Sequence, residues 1–230
     1  MSPAEIYASP WHHPGTLLPL AAVGLAVALA RRARGRGADP AFLRAWLLWW
    51  GLEIVLDASL TGFATPLHGH PEAERVASVA FVILGDLRAY LLLERLTAPS
   101  RPWSSIGARA LGWSFVASLA VAAATRVAPA TFAAMRHVFL FYELVSLGLF
   151  AAWRLALIPR RAAATDAPAA ALARDVAAFF LVQYALWVTS DVLILSGVDL
   201  AYLLRLAPNV LYYGCFVAFV AWRAPRGLRP

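Results

Sequence analysis

Apolar residues run along this chain in long blocks rather than in alternation, and the blocks have membrane-spanning length. A helix that crosses a bilayer needs about 20 mostly apolar residues. Seven stretches meet that length: 14–31, 42–64, 76–96, 107–126, 131–156, 172–196 and 200–222. Turn-forming residues separate them: Gly35-Arg36-Gly37 with Asp39-Pro40, Pro66 to Pro71, Pro99 to Pro102, Pro129, Pro159 through Pro168, and Ser196-Gly197. A period of two is nowhere sustained, which argues against a β-barrel. The pattern predicts an all-α, polytopic membrane protein, a seven-transmembrane-helix bundle forming one domain over residues 1–230. No internal repeat is evident, and an odd span count argues against an inverted duplication.

Composition agrees. Of 230 residues, 61% are hydrophobic and 14% charged, against roughly a quarter charged in soluble domains; the mean hydropathy is +0.67. All 20 basic residues are arginine. Without lysine there is no retinal-type Schiff base and no P-loop. The net charge of +7 resembles a nucleic-acid signal until the arginines are placed. Fifteen of the 20 fall at alternate breaks: Arg31, Arg32, Arg34, Arg36 and Arg44; Arg95, Arg101 and Arg109; Arg154, Arg160, Arg161 and Arg174; Arg223, Arg226 and Arg229. The positive-inside rule then sets the N-terminus outside and the C-terminus in the cytoplasm. The basic charge is topological, and no nucleic-acid partner is expected. The alanine and arginine bias suggests a GC-rich bacterial genome, hence a multi-pass protein of the cell inner membrane. The N-terminus shows no basic n-region or small-residue cleavage site, so no cleaved signal peptide is expected.

Ionisable groups at membrane depth are expensive, which makes each a functional candidate. Five acids lie well inside spans: Glu53, Asp57, Asp86, Glu143 and Asp191. Glu94 sits near the end of span three, where it is expected to reach the interface. Helical spacing groups these residues with aromatic neighbours. Trp50, Glu53, Asp57 and Thr61 form a stripe on span two, and Asp86, Tyr90 and Glu94 one on span three. Span five adds Arg136, Tyr142 and Glu143; span six adds Tyr184, Trp187 and Asp191, with Gln183 beside them. Span seven offers Tyr202, Arg205, Asn209, Tyr212, Tyr213 and Phe216. These stripes are expected to line one cavity toward the outer side. Glu53 and Asp57, one turn apart, repel when both are ionised, so one is expected to keep a proton. A purely structural alternative exists: Arg88, Arg136 and Arg205 suffice to neutralise three acids, and tyrosines to hydrogen-bond the rest.

Other chemistry is poorly provided for. The five histidines, His12, His13, His68, His70 and His137, sit toward outer ends and read as solvated loop residues rather than metal ligands. The lone Cys215 excludes an internal disulfide and a cysteine zinc cluster, and reads as a packed thiol. HExxH is absent, as is a Ser/His/Asp arrangement in nucleophile context. No metal and no cofactor is expected.

Buried carboxyls among many rings suit acid-initiated carbocation chemistry. A carboxylic acid protonates an epoxide or alkene, ring faces stabilise the cation, and exclusion of water prevents quenching. Candidate lining rings are Trp49, Trp50, Phe81, Tyr90, Tyr142, Phe180, Tyr184, Trp187, Tyr212, Tyr213 and Phe216. The stretch Trp49-Trp50-Gly51-Leu52-Glu53-Ile54-Val55 resembles the WEIVY-type motif of the integral-membrane terpene cyclases of fungal meroterpenoid and indole-diterpene pathways. Leu84-Gly85-Asp86-Leu87-Arg88-Ala89-Tyr90 followed by Arg95 is similar to their third span, and Arg160-Arg161 has a loose counterpart. The resemblance implies a seven-span cyclase or isomerase (lyase chemistry) of isoprenoid biosynthesis, with Glu53 as the acid. That family also carries an acid in its last span, where this chain has Asn209; the role is then lost or passes to Asp57, Asp86 or Asp191. The expected partner is a lipid or isoprenoid small molecule. Catalytic candidates are Glu53, Asp57 and Asp86. Substrate-binding candidates are Trp50, Tyr90, Glu143, Tyr184, Trp187, Asp191, Asn209, Tyr212 and Tyr213. A proton-coupled small-molecule transporter, or a non-enzymatic membrane sensor or assembly protein, are the competing readings. Largely unbroken spans weigh against the transporter.

Overall fold

The computed structural model describes residues 1–9, 40–61, 65–163 and 165–224. The expected first span, 14–31, lies outside the described residues, as do His12 and His13. Those described form an all-helical protein, with no strand among them. A short α1 (Pro3–Ala8) precedes α2 (Pro40–Leu60), α3 (Pro71–Thr97), α4 (Trp103–Val127), α5 (Met135–Ala162), α6 (Ala167–Leu195) and α7 (Ala201–Arg223). Five of these, α3 to α7, are long and apolar enough to cross a membrane. At about 1.5 Å per residue, the 27 residues of α3 exceed the ~30 Å hydrocarbon layer. Helix α2 has the length, but its 21 residues include Arg44, Glu53 and Asp57.

The distribution of side chains is inverted relative to a water-soluble bundle. Leu155 and Val127 are 76% and 86% exposed, whereas Arg88, Glu94 and Asp191 are fully buried. Only an apolar surrounding makes the first tolerable, and only mutual pairing the second. Helix α3 packs on α2, α4 and α6; α5 packs on α4 and α6; α7 packs on α6. Rings close the remaining side, with Trp46 and Trp50 of α2 edge-on to Phe216 of α7 at 5.6 and 4.9 Å. The middle is an aromatic column in which Phe150 stacks on Tyr90 at 5.1 Å and on Phe180 at 4.6 Å.

Two prolines act differently from the sequence expectation. Pro159 was expected to end span five, yet α5 runs on to Ala162. A π-turn at Trp153–Leu157 accommodates it: Ile158 bonds to the Trp153 carbonyl, shifting the register before the proline ring meets the preceding turn. The expected 159–171 linker shrinks accordingly. Pro208 has no N–H for the Leu204 carbonyl, yet the helix continues: Arg205 stays helical and bonds back to the Ala201 carbonyl. Beyond Val210 it widens into a π-turn at Leu211–Cys215. Span seven is therefore continuous but irregular.

Gly85 allows α3 and α7 to meet. A Cβ there would lie 1.7 Å from the Tyr212 hydroxyl oxygen and 3.2 Å from an Arg88 nitrogen. Gly85→Ala is expected to destabilise the protein by about 2 kcal/mol through overpacking. The loss is read from thermal unfolding of detergent-solubilised protein. A Gly85→Ala variant as stable as the parent would contradict this packing.

Candidate active site

One cavity of about 260 Å³ occupies the half of the bundle away from the arginine-rich ends. It is formed by the C-terminal half of α2, the N-terminal halves of α3, α5 and α7, and the C-terminal half of α6, with Tyr7 of α1 beside them. The stripes on spans two, three, five, six and seven do converge. The cavity is lined by Asp57, Asp86, Glu143, Tyr184, Trp187, Asn209, Tyr212 and Tyr213 among the expected residues, together with Phe81 and Tyr142. Its volume falls just below the ~300–1,000 Å³ of typical ligand sites.

Asp86 is one of three carboxyls on its wall, with Asp57 and Glu143. Tyr142 donates to one oxygen at 2.5 Å and Tyr184 to the other at 2.8 Å. No arginine lies within ion-pair distance of it among the described residues. Asp57 accepts from Tyr213 at 3.0 Å and from the Thr61 hydroxyl at 2.6 Å. Trp187 donates its indole N–H to Asn209 at 3.0 Å, which fixes both against the wall. The π-turn brings the adjacent Tyr212 and Tyr213 onto the cavity together, their rings edge-on at 4.8 Å.

Glu143 reaches the cavity from the other side. Arg205, in the second turn of α7, meets Glu143 with its Nη2 at 3.0 Å, pairs with Asp191 through Nη1, and donates from Nε to Tyr7 at 3.0 Å. Arg136 adds a second contact to Asp191 at 3.1 Å. Asp191 thus stands behind Arg205 rather than on the wall.

Glu53, Trp50 and Tyr90 are also absent from the described lining. Glu53 turns into the core between α2, α3 and α7 and forms an ion pair with the fully buried Arg88. The guanidinium lies flat over Trp50, 3.1 Å from the ring centroid, and donates to the Tyr212 hydroxyl at 2.6 Å. Trp50 is therefore a platform for Arg88, and Tyr90 belongs to the aromatic column one turn deeper. Trp49 faces outward, and Phe180 and Phe216 pack in the core. Arg88, Arg136 and Arg205 pair with Glu53, Asp191 and Glu143, and tyrosines bond Asp57 and Asp86; these are the contacts the structural alternative would use.

Comparison of the chain with protein-family models, with curated proteins and with solved structures finds no match. Among the described residues, no group of three or more His, Cys, Asp or Glu side chains is placed to hold a metal ion. Sequence reasoning missed Tyr7, Ser78, Val82 and Phe139 as lining residues. Tyr7 had a readable signal: Ser2 and Glu5 form a reciprocal capping box that starts α1 and presents Tyr7 to Arg205. Phe139 offered none, because its neighbours on α5 are equally apolar.

The buried pair yields a direct test. Glu53→Gln leaves the Arg88 guanidinium without its counter-charge and is expected to destabilise by about 3 kcal/mol. The double variant Glu53→Gln/Arg88→Met removes both charges and should regain most of that stability. A double variant no more stable than the single one would show that the ion pair is not what holds this region.

Proposed function

We propose that the protein is a membrane-embedded enzyme that cyclises or isomerises an isoprenoid or other lipid through protonation by a carboxylic acid. The observation that carries this reading is Asp86: a carboxyl in a ring-lined cavity, held by two phenols and unpaired with any described arginine. The resemblance to integral-membrane terpene cyclases supports the same chemistry but names Glu53 as the acid. With Glu53 committed to Arg88 outside the cavity wall, the role falls to Asp86.

In this reaction the Asp86 proton forms a new C–H bond at an alkene, or opens an epoxide, and leaves a cation on the more substituted carbon. A second alkene supplies the electron pair for ring closure. A proton then leaves a neighbouring carbon to the Asp86 carboxylate, restoring the acid and giving an isomer of unchanged mass. Phe81, Phe139, Trp187, Tyr212 and Tyr213 offer ring faces to the cation. Tyr142 and Tyr184 hold the carboxyl so that it meets the substrate without reorganising.

The membrane setting is read as seven spans, counting 14–31 and α2, in a bacterial inner membrane. The arginine-rich ends face the cytoplasm, which puts the cavity in the outer half. One observation favours a second reading, a proton-coupled carrier: three carboxyls, Asp57, Asp86 and Glu143, share one polar cavity.

Membranes containing the protein, given epoxidised and plain polyprenyl substrates, are expected to yield an isomer of unchanged mass by mass spectrometry. Asp86→Asn should lower its formation at least about 100-fold. Product that persists in Asp86→Asn would remove Asp86 from the acid role. No product across the panel, with proton-driven uptake into vesicles, would establish the carrier instead.

A further inference from the structure

Ion pairs elsewhere in the described protein balance. Glu53 meets Arg88; Asp191 and Glu143 meet Arg136 and Arg205; Asp175 meets Arg223; Glu72 meets Arg75. The exception is Glu94. Expected at the interface, it is instead fully buried at the arginine-rich end, and three guanidinium groups converge on its one carboxylate. Arg161 from the end of α5 lies at 3.1 Å, Arg109 from α4 at 3.2 Å and Arg101 from the intervening loop at 3.7 Å. Trp113 donates a further N–H at 3.1 Å.

We infer that Arg101 and Arg109, drawn together with Arg161 around Glu94, bind a phosphomonoester group. Topology alone needs arginines at this end, not arginines drawn together from three segments. Three like charges within one cluster repel, and a single carboxylate offsets only one of them. A phosphomonoester carries close to two negative charges at neutral pH, which is the surplus left.

The free donors point the same way. Arg161 is spent internally on Glu94 and Thr97 and rests over the Trp153 ring at 4.8 Å. Arg101 and Arg109 are 39% and 40% exposed. Arg109 uses only its Nε on Glu94, so its terminal nitrogens remain for an outside acceptor. Arg101 turns its buried Nη1 toward Glu94, 3.7 Å away, and leaves the rest of its guanidinium for the exposed side. The terminal nitrogens of Arg109 and the outer part of Arg101 match the geometry of phosphate oxygens. The group is either the headgroup of a lipid such as phosphatidic acid or a free phosphate. This inference is independent of the chemistry assigned to the cavity.

The test uses the full-length protein in detergent, incubated with phosphatidic acid, phosphatidylglycerol or phosphatidylcholine and examined by native mass spectrometry. Thermal unfolding in inorganic phosphate against chloride at matched ionic strength forms the second arm. Phosphatidic acid is expected to be retained in preference to the other two. Each arginine at such a site is worth about fivefold in affinity, so R101Q/R109Q should lose about 25-fold. Both side chains are partly exposed, so this variant is expected to fold. Retention of phosphatidic acid without a phosphate-dependent shift identifies a lipid headgroup. A shift with inorganic phosphate that R101Q/R109Q abolishes identifies the phosphate group itself as sufficient. Equal retention of all three lipids with no phosphate effect, or unchanged binding by R101Q/R109Q, would overturn the inference.

Discussion

A guanidinium buried at the centre of an apolar bundle must find all its compensation in the protein, and Arg88 dictates how three helices meet. Glu53 supplies the charge, Trp50 the face on which the group lies flat, and the Tyr212 hydroxyl an acceptor. A desolvated cation over an indole gains about 2 kcal/mol or more beyond its ion pair. These partners come from α2 and α7, while Arg88 belongs to α3, so the requirement of one side chain fixes the packing of all three. Gly85, one turn before Arg88, is small for the same reason: Tyr212 occupies the space its side chain would take. The cavity opens immediately beyond this junction, and its Tyr212 wall is the far side of the Arg88 clamp.

Helical spacing on α7 then builds one wall of the cavity. Arg205, Asn209, Tyr212 and Tyr213 step by four, three and one, so they share one face of the helix and all reach the cavity. The π-turn at Leu211–Cys215 lies in the same stretch. The result is a wall with charge at one end and phenols at the other, and Asp86 has no cationic partner among the described residues.

Much of this was legible in the sequence. Apolar block length located α3 to α7 within a few residues, because a bilayer imposes a minimum span that composition cannot disguise. Helical spacing also identified most of the cavity wall, since polar residues that share a helix face inside a membrane have few other places to point. What failed was partner choice. Glu53 and Asp57 share a stripe, yet one turns to Arg88 in the core and the other to Tyr213 at the cavity. That difference depends on how α2 is rotated against its neighbours, which spacing along α2 cannot encode. The π-turns were hidden for a related reason: a proline announces that a helix must deviate, not whether it stops or widens. Glu94 looked peripheral by position, and only the folding back of Arg101, Arg109 and Arg161 encloses it.

The placement of partners along the chain also sets an order of assembly. Glu53 and Arg88, and Asp86 and Tyr142, belong to helices that emerge early, so these groups are neutralised or bonded while later ones are still being made. Glu143 waits for Arg205, 62 residues further on, and the Arg88 guanidinium for the Tyr212 hydroxyl, 124 residues away. A chain inserted from its N-terminus therefore carries an open polar seam through the bilayer until α7 arrives. The last helix to leave the ribosome seals it, so a truncated product exposes its seam and is distinguishable by the quality-control machinery from a finished one.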